Sequence, residues 1–128
     1  IDTNDSRIFR RTVYRFNPRG GRSALLDTFD CPDPASTAPR RAVTTTPLQA
    51  LSLLNNSFVL RMSDYFAERI LETAGDDIEK QVVLAWRMTI HRKPDATEFA
   101  LASKFLADND LAALCRALFN VSEFVVIE

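Results

Sequence analysis

Four times after residue 45, a side chain able to cap a helix stands directly before a run whose apolar residues recur every three or four positions. The pattern is restrictive because the first turn of a helix leaves N–H groups without intrahelical acceptors, and Ser, Thr, Asp and Asn supply one. In Thr46-Pro47-Leu48-Gln49, Thr46 takes the N-cap, Pro47 the first helical position and Gln49 the third. That is a capping box reinforced by a residue whose φ already suits a helix. Leu48, Leu51 and Leu54 line one side of this helix, and Asn55-Asn56 can end it. Ser57 is placed to cap a second helix, in which Phe58, Met62, Phe66 and Ile70 repeat at four-residue spacing. Val59 and Tyr65 widen that stripe, and Gly75 stops it.

Asp76, with Glu79 at capping-box spacing, opens a third helix carrying Ile78, Val82, Ala85, Trp86 and Thr89 on one face. His91, Arg92 and Lys93 near its end oppose the negative end of the helix dipole, and Pro94 terminates it. Asp95 and Glu98 repeat the signature before Phe99, Ala102, Phe105 and Leu106. After a break at Asp108 to Asp110, a fifth helix turns Leu111, Leu114, Cys115 and Leu118 inward. The tail from Ser122 allows one more helical turn or a short extended end. Short amphipathic helices joined this tightly predict an all-α fold, an orthogonal bundle of about five short helices over residues 46–128.

Residues 1–45 read differently, as an irregular Arg/Asp-rich arm. Arg10 to Phe16 (RRTVYRF) fits a short strand or a helical turn equally well over residues 8–16. Pro18, Gly20 and Gly21 demand a turn, and Ser23 can begin a short helix near residues 23–29. Pro32, Pro34 and Pro39 then force an extended or looped path, and a loop of that length is either functional or held by specific polar contacts.

At 128 residues the chain fits one domain and can bury a core without metal or disulfide staples. The start at Ile1, with no basic and apolar leader, reads as a segment excised from a larger protein. A net charge of −1 provides no general field for nucleic acid or an anionic membrane, and no run is long enough to span a bilayer. The charge is nonetheless uneven: residues 1–41 hold eight Arg against five Asp, and residues 42–128 hold eight basic against twelve acidic residues. Arg7, Arg10, Arg11, Arg15, Arg19 and Arg22, interleaved with Phe9, Tyr14 and Phe16, have the residue types that bind phosphates and stack bases. Five aspartates in the same third argue against a nucleic-acid partner and for pairing with those carboxylates.

The sharpest polar constellation is Asp30, Asp33, Arg40 and Arg41, with Thr44 to Thr46 close by. Two carboxylates three apart on a proline-braced loop have the chemistry of a divalent-cation or acid/base site. The structural alternative has Asp30 or Asp33 accepting a bidentate bond from Arg40, Arg41 or an arginine of RRTVYRF, pinning the loop. Asn55 and Asn120 each follow an apolar helical run and suit left-handed helix ends. His91 has no nucleophile or carboxylate partner nearby in sequence, and Cys115 reads as a buried, inert thiol. Two cysteines make no zinc pattern, and whether Cys31 and Cys115 pair is left open by their positions. No G-x-S-x-G, P-loop or H-E-x-x-H occurs. No catalytic, cofactor-binding or metal-binding residue is therefore assigned, and no cofactor is expected.

The blocks RRTVYRF, LLDTFDCPDP, RRAVTTTPLQALSLLNN and LFNVSEF occur in this order and span nearly the whole chain. Together they resemble the C-terminal planctomycete-specific domain of unknown function number 1553, found in cytochrome-c-like exported proteins. WRMTIHRKPDATE is similar to that family's helix ending in a basic-x-Pro turn, with His91 where a glycine is usual. The resemblance implies an exported or cell-envelope setting, with neighbouring haem-attaching or carbohydrate-binding-like modules. It implies no catalytic residues. This segment has no C-x-x-C-H: Cys31 precedes Pro-Asp-Pro, Cys115 precedes Arg-Ala-Leu, and His91 is the sole histidine, so no haem is expected here. The favoured reading is a non-catalytic scaffold or interaction module, not an enzyme on its own. Its partners would be other domains of the parent chain or a cell-surface protein. The alternative is a ligand, metal or catalytic site in the Asp/Arg loop at 30–41.

Overall fold

The cap signatures become helices almost one for one. A computed structural model describes residues 11–14, 18, 21, 23–33, 35–40 and 44–126. Among these the fold is all-α: α1 (Ala24–Thr28), α2 (Pro47–Asn55), α3 (Ser57–Ala74), α4 (Ile78–Ile90), α5 (Ala96–Asp108), α6 (Leu111–Leu118) and α7 (Ser122–Val125), with a 3-10 turn at Thr12–Tyr14. No helix among the described residues is long and apolar enough to cross a membrane. The chain divides into two compact units, Ile1–Thr45 and Thr46–Glu128.

In the second unit, Thr46 Oγ1 accepts the Gln49 N–H at 3.3 Å and Gln49 Oε1 accepts the Thr46 N–H at 3.2 Å, closing the capping box at α2. Asp95 and Glu98 do the same at α5, at 2.7 and 2.8 Å. Asp110 caps α6 by accepting the Ala113 N–H. Two caps sit one residue from the expected position. At α3 the cap is Asn56 rather than Ser57: its backbone N–H ends α2 on Ser52 O, while its Oδ1 starts α3 on the Phe58 N–H. One extended residue thus serves both helices. At α4 the cap is Asp77 rather than Asp76, because Gly75 leaves α3 at φ 63°, ψ −150°, and the turn needs Asp76 as well. That backbone region is essentially confined to glycine.

The long α3 is the spine; it lies against α2, α4 and α6, and α5 packs on α4 and α6. Ile70, Val82 and Cys115 are fully enclosed, surrounded by Ala67, Ala85, Trp86, Ala102, Leu111, Leu114 and Leu118. Burying side chains of this size is worth roughly 1.5–3 kcal/mol each relative to exposure, which makes this cluster the main stabilising element of the unit. Buried polar groups find local acceptors: Ser63 donates to Val59 O, Thr89 to Ala85 O, and Gln81 Nε2 to Gly75 O. The expected apolar stripes are only partly covered. Leu48 and Leu51 stay 62% and 57% exposed, and Phe58, Ile78 and Phe105 are also exposed.

The first unit has no buried residue among those described. Its order comes from hydrogen bonds rather than from burial. Gly21 N–H donates to Pro18 O, and a Cβ on Gly21 would meet Pro18 Cγ at 2.7 Å, so the turn favours glycine there. α1 starts after Ser23 as expected, and within RRTVYRF the described residues Thr12–Tyr14 form a 3-10 turn. Ile8, Phe9, Phe16, Arg7, Arg10, Arg15, Arg19, Arg22 and Arg41 lie outside the described residues.

Candidate functional site

Asp30 is the pivot of the arm. It adopts a left-handed conformation, φ 57°, directly after the turn that ends α1. Its carboxylate reaches fourteen residues along the chain: Oδ2 accepts the Thr44 N–H at 2.7 Å, and both oxygens lie within 3.0 Å of Thr44 Oγ1. Asp33 instead turns onto its own loop, where Oδ1 accepts the Ala35 N–H at 2.8 Å and its carbonyl accepts from Ser36. This is the short Asp-to-backbone closure that polar loops use in place of secondary structure. Arg40 is exposed, and among the described residues no hydrogen bond or ion pair joins it to Asp30 or Asp33. Among the described residues, Asp30, Asp33 and Arg40 are therefore not joined to one another. Two carboxylates each hold a backbone N–H, Arg40 faces solvent, and Arg41 is not described. No cluster of three His, Cys, Asp or Glu side chains suited to a metal occurs among the described residues.

Among the described residues the most extensive charged cluster lies elsewhere, in the turn between α4 and α5. Arg92 Nη1 and Nη2 donate to the two carboxylate oxygens of Glu98, each at 2.6 Å. Its Nε and Nη2 donate to Glu123 of α7 at 2.9 and 3.0 Å, and Nη1 also reaches Lys93 O at 3.2 Å. Glu98 has a second duty, since its Oε2 accepts the Asp95 N–H in the capping box. The Arg92 guanidinium, then the Asp95 N–H, hold the Glu98 carboxyl down at about 2. The buried Trp86 Nε1 lies outside hydrogen-bonding geometry to any described acceptor and is the weakest contributor to that shift. Arg92 is pushed up by Glu98 first and Glu123 second, and Glu123 is held below the usual carboxylate range by Arg92.

Half of this cluster has a local signal. The third residue of a capping box folds back toward the preceding turn, and Arg92-x-Pro94-x-x-x-Glu98 puts a guanidinium there. The other half has none, since Glu123 is 31 residues from Arg92. His91 takes the left-handed helix end, φ 58°, ψ 17°, which a glycine would occupy more easily. Asn55 and Asn120 do not: the positive-φ residues other than glycine among those described are Asp30 and His91.

Both cysteines are free. Burial, then the nearby Asp110 charge, push the Cys115 thiol up to about 12, so it behaves as a small apolar side chain. An open groove of about 400 Å³ runs along the C-terminal end of α3 and along α4, lined among others by Ala74, Lys80, Val83, Leu84 and Arg87. Lys80 is already paired with Asp77 at 2.9 Å.

No curated protein and no solved structure matches the chain. A family model matches residues 2–106, covering the arm, α2 to α4 and most of α5, and stopping short of Glu123. On that match the chain belongs to the family described as a protein of unknown function (DUF1553).

Proposed function

We propose that the chain is a non-catalytic helical scaffold or interaction module of a larger exported, cytochrome-c-associated protein. One observation carries the reading: the carboxylates best placed in sequence for chemistry, Asp30 and Asp33, are engaged in holding backbone N–H groups of their own loop. A general base or metal ligand needs lone pairs directed at a substrate or ion. The Arg92 cluster supports the same reading, since its guanidinium is taken up by Glu98 and Glu123 and fastens α5 to α7. The exported, planctomycete-type and cytochrome-associated setting comes from the family resemblance. The partners are other domains of the parent chain or a cell-surface protein, with no nucleic acid, no membrane insertion and no haem in this segment.

The test is direct. Millimolar calcium or magnesium is expected to leave the Tm of the chain unchanged. A ligand at about 100 times its Kd stabilises a fold by about 2.7 kcal/mol, so a rise of several degrees would favour the site at residues 30–41. Turnover of any substrate by this chain alone would overturn the non-catalytic reading.

A further inference from the structure

The C-terminal helix α7 has four residues, no side-chain cap and no buried residue. A helix this short does not persist on its own hydrogen bonds. Beside its packing against α4, two side-chain attachments hold it. Glu123 takes two donors from Arg92, and the Phe124 ring stacks on Phe119 with centroids 5.0 Å apart. Both receptors are fixed by groups outside α7. Glu98 and the Lys93 carbonyl hold the guanidinium, and Phe66 stacks on Phe119 at 5.5 Å. A guanidinium edge and an aromatic face thus each keep a partner that does not depend on α7. Water already reaches the contact, since the Glu123 side chain is 57% exposed.

We propose that Arg92 and Phe119 form a two-point docking socket for a protein segment carrying a carboxylate next to an aromatic ring, and that α7 is its resident occupant, a displaceable strap. The chemistry of the partner follows from the two points. The Nε and Nη2 edge of an arginine matches the two oxygens of a carboxylate, and a fixed aromatic face accepts a second ring in offset stacking. Glu123-Phe124 displays that pair on adjacent residues. As a tethered occupant, α7 competes at an effective concentration on the order of millimolar, so a weak or scarce partner is excluded. The socket deepens the reading of the chain as an interaction module and rests on it only in taking the partner to be a protein segment. Substrate turnover would sink that reading and leave the outcomes below unaffected.

The experiment uses the full chain, labelled with nitrogen-15, and its E123Q/F124A variant, which empties both points. Each is titrated with the peptide Ser-Glu-Phe-Val-Val, copied from residues 122–126, and with the same peptide carrying Gln for Glu. Saturable shifts of the Arg92 Nε–H are expected with the Glu peptide on the variant, and roughly tenfold or more weaker binding to the intact chain. The Gln peptide is expected to lose the binding. No saturable shift on the variant, equal affinity for both peptides, or equal affinity of intact chain and variant would each overturn the socket. A second measurement needs no variant. The Val125 and Val126 amides, bonded only to Val121 and Ser122 carbonyls, should exchange with solvent far faster than the Ile70 amide in α3. Equal protection would overturn the strap.

Discussion

The unit Thr46–Glu128 and the unit Ile1–Thr45 are ordered by different physics. In the first, an enclosed apolar cluster around Ile70, Val82 and Cys115 sets the structure, and polar groups mark where helices begin. In the second, among the described residues, nothing is buried, and the order seen there includes the short α1, Asp30 reaching Thr44, Asp33 closing on Ala35, and one proline–glycine turn. Apolar burial is non-directional and tolerates small shifts, whereas a carboxylate holding one N–H is specific and individually weak. The contrast makes the bundle sensitive to lost volume and the arm sensitive to single polar atoms.

The largest effect should come from Ile70→Ala. The side chain is fully enclosed on α3, and truncations of this kind cost about 2–5 kcal/mol through lost transfer energy and the cavity left behind. Urea unfolding followed by far-ultraviolet circular dichroism measures it. A loss below about 1 kcal/mol would mean that the bundle collapses around the gap and is less closely packed than this contrast requires. Next in size is Gly75→Ala. Nothing lies within 4 Å of the added Cβ, so the penalty is purely conformational, about 1–3 kcal/mol for forcing alanine into φ 63°, ψ −150°. A neutral result would show that the α3–α4 turn has another conformation close in energy.

How far the sequence revealed this depends on range. The boxes at Thr46/Gln49 and Asp95/Glu98 were legible because all partners lie within four residues. The caps at Asn56 and Asp77 were missed by one position, since that depended on the dihedral angles of the linking residues. Periodicity showed that α2 has an apolar stripe but not that Leu48 and Leu51 would stay exposed, because a stripe does not name what covers it. The polar contacts follow the same rule. Asp33 closing on Ala35 is local, while Asp30 with Thr44 and Arg92 with Glu123 join residues 14 and 31 apart that no window brings together.

Acid should loosen the bundle through the Arg92 cluster before its core is touched. Glu98 has an ordinary value of 4.5 and a folded value of about 2. A depressed folded pKa gives stability that is fully present above the unfolded value and lost as pH falls through the folded one. The window is therefore about 4.5 down to 2, and Glu123 and Asp77, also lowered, add to it in the same direction. The Tm of the intact chain should fall across that window, and Glu98→Gln should flatten the slope while lowering the Tm at neutral pH by a few degrees. An unchanged slope would show that other carboxylates carry the acid response.

The finest test sets one residue of each unit against the other in the same backbone conformation. Asp30 and His91 have φ 57° and 58°, a region that costs a non-glycine residue roughly 1–2 kcal/mol. Asp30 offsets that strain with three contacts to Thr44, while His91, at the end of α4, makes no hydrogen bond among the described residues. Glycine removes the strain at either position and loses roughly 0.5–1 kcal/mol to the freedom of the unfolded chain. His91→Gly should thus stabilise the bundle by up to about 1 kcal/mol, read from the urea midpoint. Asp30→Gly should act in the opposite direction within the arm. Without the carboxylate, the Thr44 amide should exchange with solvent roughly fivefold faster, as expected for the loss of about one net hydrogen bond. If both substitutions proved stabilising, the Asp30–Thr44 contact would not be what orders the arm, and the two units would differ in degree rather than in kind.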